Sequence, residues 1–484
     1  MSLTLEHTPA AHLVDGRWLT SGVTATSHSP ADGSALGEYD DAQLPLGEQA
    51  VAAARRAFAT TDWARDRQLR AKVLNEMADA IEAATDELAL MLARENGKIL
   101  PEAHFELSLT PSKLRYYAAM ALTGTGRGDQ AKPGVLSTLV PVPVGVAGVI
   151  VPWNSPVVLA VRSFAPALAA GCTVVVKMAA QTALVNARLA EILAACPSLP
   201  PGVLNVLTES GSDIAKHLVD SPEVDAISYT GSTAVGRQIM AAAAPRLKRV
   251  SLELGGKTPM IVFDDADLDR AVGTIVAGIT TFSGQFCMTG SRVLVQRGVA
   301  DEVRSRLVAA LSAVRVGPGD APESQMGPMI DRAGRDRLVA LVDGHLGDAT
   351  VLVPGGVPDE PALADGAYYR PALLEVADLC SPLIQRELFG PIATFEVFAD
   401  EADAVARANA TEYGLAASVW TADGQRGLRM ADALEAGTVW LNAWALVLDQ
   451  FEEGGVKQSG LGRLNGHRAV EEFQEVKHLV QVLG

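Results

Sequence analysis

A single cysteine, Cys287, stands in the stretch "SGQFCMTGSR" between Phe286 and Met288. A buried cysteine usually behaves as a small hydrophobe, so taken alone Cys287 reads as core. Two other side chains give it a chemical reading. Glu253 ends the apolar run in "LELGGKTP" beside a glycine pair. Burial there would raise its pKa into the range of a general base. Asn154 in "PWNSP" occupies a proline-bounded turn after an apolar segment. A fixed amide in that place can donate to a developing oxyanion. Thiol, carboxylate and amide are together the parts of nucleophilic carbonyl chemistry. Singly, Glu253 reads rather as a surface residue at a strand end, and Asn154 is equally an ordinary turn residue. Cys172 in "AAGCTVVVK" has only an apolar strand around it and reads as a structural thiol.

The same chain carries residues suited to an anionic ligand. Lys177 ends the strand-like "TVVVK", and "TGSTAVG" places Gly231 and Ser232 at a strand-to-helix turn. First-turn N–H groups at such a turn suit a pyrophosphate. The loop is not a P-loop, since Arg237 and Gln238 follow Gly236 where Lys and Ser/Thr would be needed, and it is not GxGxxG.

These residues fall on an alternating pattern of strands and helices. From about 145 to 250, "GVAGVIV", "TVVVK", "GVLNVL" and "DAISYTG" read as strands, separated by helical runs such as "QTALVNARLAEILAA". A second alternating block runs from about 253 to 435. Repeated strand–helix units predict parallel, doubly wound sheets that bind ligands beyond their strands' carboxyl ends. A helical region, about 48–122, precedes them. "GVLSTLVPVPV" and the tail "KHLVQVL" read as strands with no partner in either block, and a second subunit is one way to cover such strands.

Composition narrows the setting. With 484 residues, 48% hydrophobic and 20% charged, the chain suits a globular protein of two or three domains. A net charge of −17 argues against nucleic acid or anionic membrane as the main partner. No signal peptide or membrane span is legible, and the four cysteines form no CxxC pair, so a reduced, cytoplasmic setting is the expectation. The eight histidines show no metal-ligand spacing, so no metal site is expected.

"PWN", "VVVK", "TGSTAVG", "LELGGK", "GQFC", "ELFGP" and "VKQSGLGR" occur in this order. In that set the sequence resembles the aldehyde dehydrogenase superfamily, over nearly the whole chain from about residue 12. The resemblance implies an α/β fold of two doubly wound parallel-sheet domains, Rossmann-like cofactor-binding and catalytic, plus a small β oligomerisation flap. The implied division gives 1–123 and 145–252 to the cofactor domain and 253–435 to the catalytic domain. Residues 124–144 and 468–484 would form the flap, and 436–467 would return to the cofactor domain and substrate channel. A homodimer or homotetramer is then expected.

By the same resemblance Cys287 adds to the aldehyde carbon, Asn154 holds the oxyanion, and Glu253 activates the water that releases the acid. NAD or NADP would be held by Ile150, Val151 and Trp153 on one strand end and by Lys177 and Ala180 on the next. Gly231 and Ser232 would meet the pyrophosphate, and Glu387 the nicotinamide ribose, with Phe389 beside it. Position 180 departs from the family, since many NAD-selective members carry a glutamate there. Ala180 lacks a charge that would repel a 2′-phosphate, which makes NADP use an expectation. Glu452 and Glu453 stand where many members have a Pro–Phe pair facing substrate, and Leu464 replaces a helper glutamate found in some.

Val157, Val158, Leu159, Phe286, Met288 and Trp444 suggest an apolar aldehyde pocket nearest the aromatic-aldehyde branch. Arg162 is the counter-signal, because in semialdehyde dehydrogenases an arginine here grips a substrate carboxylate. Two further alternatives remain. A CoA-acylating relative usually lacks the glutamate at 253, and an inactive structural relative would be expected to lose one of the three site residues.

Overall fold

The computed structural model describes residues 5–124 and 126–483. Two parallel sheets form its frame. In the first, the strands Arg249–Glu253, Ala226–Thr230, Val146–Ile150, Thr173–Ala179 and Leu204–Glu209 lie side by side in that order and run parallel. Val146–Ile150 comes first in the chain but lies in the middle, so the winding reverses between it and Ala226–Thr230. Ligands bind at such a reversal, beyond the carboxyl ends of the strands. Every residue of Val146–Ile150 and Thr173–Ala179 is buried, as expected of strands covered by helices on both faces.

The edges of this sheet come from segments the sequence pattern did not mark. His12–Val14 pairs antiparallel with Arg17–Leu19 and borders Leu204–Glu209. Strands of three residues carry too little alternation to read. A separate hairpin joins Thr24–His28 to Ala35–Asp40. The expected helical region is present as Leu44–Thr60, Arg67–Ala83, Thr85–Glu95 and Leu100–Leu122.

The second sheet centres on Pro259–Val262, between Arg292–Gln296 and Ala416–Trp420, all parallel. It extends past the expected limit at 435, because Thr438–Leu441 pairs in parallel with Ala416–Trp420. Gly460–Leu461, by contrast, pairs with Leu252 and Glu253 at the edge of the first sheet. Within the sheet, Arg292 is fully buried and clamps Glu396 with two bonds, Nε to Oε1 at 2.8 Å and Nη2 to Oε2 at 2.7 Å.

The two strands without sequence partners find each other. Val135–Pro143 pairs along its whole length with Gln474–Val482, and Arg127–Lys132 adds a third antiparallel strand. Val476, Leu479, Val480 and Val482 of this small sheet are exposed.

Candidate active site

The thiol is presented by a strained turn. The helix Leu268–Thr280 ends and the chain passes through Phe282 and Ser283, both at positive φ (52° and 54°), before reaching Cys287. Non-glycine residues in that region cost energy and need outside support. Phe282 N–H donates to Glu102 Oε1 at 2.9 Å, and the Lys98 ammonium lies 3.9 Å from the centre of its ring. Ser283 Oγ donates to Gly327 O at 2.8 Å, and Gln285 Oε1 accepts Ile330 N–H at 3.0 Å.

Asn154 follows the strand Val146–Ile150 and precedes the helix Pro156–Ala170, whose proline start needs no donor at its first position. Glu106 Oε1 accepts the N–H groups of Val157 and Val158, and Glu106 is itself paired with buried Lys98. A carboxylate at a helix N-terminus stabilises it and fixes the turn. Asn154 Nδ2 donates one hydrogen to Gln285 O at 3.1 Å, which ties the amide to the cysteine loop. The sequence offered no signal for Glu106, Lys98 or Gln285, since each acts through a partner distant in the chain.

Glu253 ends its strand with its carboxylate buried, and its Oε1 has no hydrogen-bond partner among the described residues. Gly454, at φ +155°, leaves room for it, because a Cβ there would sit 2.8 Å from Glu253 Oε1. Burial pushes the Glu253 carboxyl up to about 8, opposed by the Arg162 charge. Burial likewise pushes the Cys287 thiol up to about 12, with Arg162 pulling it down and Glu453 and Glu253 adding to the rise. A resting thiol of this kind needs a base before it attacks. Cys172 is fully buried, and its Sγ donates to Phe473 O at 3.4 Å.

Two cavities meet at these residues. One, of about 440 Å³, opens beyond the strand ends of the first sheet. Ile150, Val151, Trp153, Lys177, Gly231 and Ser232 line it, together with Glu387, Phe389 and Glu253. Ser232 caps the helix Thr233–Ala243, accepting Val235 N–H at 3.4 Å, so the first turn of that helix faces the cavity. Phe389 packs edge-on against Trp153 at 5.6 Å. Glu387 Oε1 accepts Gly256 N–H at 3.2 Å, and burial pushes its carboxyl up to about 7. Ala180 is not on the lining, where its neighbour Ala179 stands. An open cavity at the winding reversal, with a lysine, a helix N-terminus and an edge-on aromatic pair, fits a dinucleotide.

The second cavity, of about 70 Å³, lies on the other side of Cys287. Val158, Leu159, Arg162, Phe286, Met288 and Glu453 line it, with Phe105 and Leu109 from the N-terminal helices. Asn154, Leu159 and Cys287 line both cavities. Three expected residues fall elsewhere. Val157 is fully buried behind the wall, because its N–H is held by Glu106. Trp444 backs the pocket, its Nε1 donating to Met288 O at 2.9 Å and its ring meeting Phe286 edge-on. Glu452 is exposed and its Oε1 accepts Arg468 N–H at 3.1 Å, so only Glu453 of the pair faces the cavity. Leu464 is fully buried and exchanges backbone hydrogen bonds with Glu453.

Among the described residues no group of three His, Cys, Asp or Glu side chains could hold a metal ion, and no helix is long and apolar enough to cross a membrane.

The chain resembles known proteins over its full length. Residues 18–479 match the model of the aldehyde dehydrogenase family. A succinate-semialdehyde dehydrogenase of Paenarthrobacter nicotinovorans is 39% identical, covering 89% of this chain and 96% of its own. A betaine aldehyde dehydrogenase of Cereibacter sphaeroides is 37% identical over 98% of each chain. The crystal structure of a Staphylococcus aureus betaine aldehyde dehydrogenase in complex with NAD+ superimposes with a TM-score of 0.96 at 33% identity, covering 99% of this chain and 96% of that one. This chain belongs to the aldehyde dehydrogenase family, enzymes that oxidise aldehydes with NAD(P).

Proposed function

We propose that the chain oxidises an uncharged, apolar or aromatic aldehyde to its carboxylic acid through a thioester on Cys287. The observation that carries this reading is the place of Cys287, shared by two cavities with Asn154 and adjoined by Glu253. The Cys287 sulfur bonds to the aldehyde carbon as its proton passes to Glu253. The second hydrogen of Asn154 Nδ2 meets the oxyanion while Gln285 O holds the first. Bound NAD(P)+ supplies the hydride acceptor. Cys287 is then left as a thioester; Glu253 gives up the thiol's proton to solvent, takes one from the water that attacks the thioester, and returns it to the Cys287 sulfur as the acid leaves. With Leu464 at the helper position, Glu253 works without a second carboxylate there.

The substrate class follows from charge accounting in the smaller cavity. Each cation lining it already has an anion: Arg162 has Glu453 at 2.6 Å, and Lys113 has Asp449 at 2.6 Å. Among the described residues no lining cation is left over for a substrate carboxylate, whereas Phe105, Leu109, Phe286 and Met288 offer apolar wall. One observation favours a semialdehyde instead: Arg162 Nε is buried without a partner. A kinetic panel of benzaldehyde and succinate semialdehyde, with NAD and with NADP, separates the two. Preference for benzaldehyde without added CoA, lost in Cys287→Ala, supports the reading. Strong preference for succinate semialdehyde overturns the substrate class, and activity surviving Cys287→Ala overturns the mechanism.

The exposed apolar side chains of Gln474–Val482 support self-association through the small sheet, to a homodimer or homotetramer, and light scattering on the full chain tests it. Four free cysteines suit a reducing compartment such as the cytoplasm.

A further inference from the structure

Position 180 lacks the carboxylate that would grip an adenosine ribose, but a carboxylate reaches the same lysine from the neighbouring strand. Leu204–Glu209 runs parallel to Thr173–Ala179, and the register sets Glu209 opposite Ala179, a residue lining the larger cavity. Glu209 is buried, with 5% of its surface exposed. Its Oε1 accepts Ile214 N–H at 2.9 Å, which fixes the side chain against the start of the helix Asp213–Asp220. Its Oε2 has no hydrogen-bond partner among the described residues and lies 3.8 Å from Lys177 Nζ.

Among the described residues, Lys177 is the one cation lining that cavity. A second carboxylate, Asp41, also acts on its charge. Asp41 is tied beside Glu209 by accepting Ser210 N–H at 2.7 Å and Ser210 Oγ at 2.5 Å. Glu209 thus faces the ammonium, and Asp41 adds a second negative charge that acts on it. A dianionic 2′-phosphate brought to Lys177 would meet net negative charge, whereas a ribose diol needs only a donor and an acceptor.

We propose that Glu209 is a specificity-determining residue that acts through Lys177: it spends the lysine's charge, so that this site takes NAD in preference to NADP. The proposal rests on the larger cavity being the cofactor site. It supplies, from a different strand, the selection that Ala180 alone would leave open.

Calorimetric titration of the full chain with adenosine 5′-monophosphate and with adenosine 2′,5′-bisphosphate reads the selection without turnover. The wild-type protein should bind the monophosphate more tightly. Glu209→Gln should tighten the bisphosphate by about 10-fold relative to the monophosphate, with a smaller gain at high salt, and should raise the NADP/NAD ratio of kcat/KM by a similar factor. Glu209→Asp, which keeps the charge, should leave the wild-type order in place. Thermal melting of each variant confirms that it is folded, and a second neutral variant, Glu209→Ala, replaces Glu209→Gln if that one fails to fold. Equal binding of the two probes by wild type, or no change of preference in a folded neutral variant, overturns the proposal. Failure of wild type to bind either probe overturns the reading of the cavity itself, and the proposal with it.

Discussion

Arg162 Nη1 donates to Glu453 Oε1 at 2.6 Å, and the two side chains are 7% and 12% exposed. Arg162 Nη2 also reaches Thr230 Oγ1 at 3.3 Å. The guanidinium therefore spans from the end of the strand Ala226–Thr230 to the wall of the smaller cavity. It lowers the pKa values of both Cys287 and Glu253, and Glu453 opposes it at both.

Removing the Glu453 charge should free Arg162 for an anionic substrate. Glu453→Gln is expected to raise the ratio of kcat/KM for succinate semialdehyde over benzaldehyde by about 10-fold, because a buried guanidinium without its anion seeks another. The same variant should melt at a lower temperature, and succinate should restore part of the loss. An unchanged substrate ratio would show that Arg162 does not face the substrate.

The Glu253 carboxyl, at about 8, must be ionised to activate water, so the hydrolytic step should quicken as pH rises through about 8. Glu253→Gln should lower turnover by about 10²–10⁴-fold and remove that inflection. Stability should move the opposite way. Because the folded pKa is raised, the contribution of protonated Glu253 is full below the ordinary glutamate pKa and is lost as pH rises through about 8. The Glu253→Gln protein should therefore gain on wild type in melting temperature between pH 5 and pH 9. A constant difference across that range would contradict the assignment.

Asn154→Ala should lower kcat by about 10²–10³-fold, the usual loss of one oxyanion donor, with little change in cofactor affinity. Steady-state rates and nucleotide titration together check it. A large loss of nucleotide binding would mean that Asn154 serves mainly to hold the Gln285 loop.

The Arg292–Glu396 pair lines neither cavity and tests the second sheet. Arg292→Met should destabilise the fold by about 3–5 kcal/mol, since it strands a fully buried carboxylate. The double variant with Glu396→Leu should recover much of that loss, as read by urea unfolding. A double variant no more stable than the single one would show that backbone contacts of Arg292, such as Nη2 to Arg407 O at 2.9 Å, dominate.

What was legible in the sequence is what short-range pattern encodes. Buried parallel strands announce themselves as apolar runs, so the central strands of both sheets could be placed. The motifs around Asn154 and Glu253 sit where two of those strands end, and that around Cys287 follows the helix Leu268–Thr280. The short strands His12–Val14 and Arg17–Leu19 left no such trace. Trp444 and Val157 look like pocket residues from composition alone, yet one backs the pocket and the other lies behind its wall.

The sequence by itself determined the alternating architecture, because periodicity and turn chemistry are local properties of the chain. Cys287, Glu253 and Asn154 were singled out by their residue types together with the ordered motifs that resemble the family. Only the tertiary structure decided what charge those residues feel. Arg162 meets Glu453 across 291 positions, and Lys177 meets Glu209 because two parallel strands share a register. Neither pairing follows from any nearby residue, since Coulomb energies depend on distance in space and not along the chain. Position 180 illustrates the difference: read along the chain it lacks a carboxylate, and in the fold Glu209 provides one beside the same lysine.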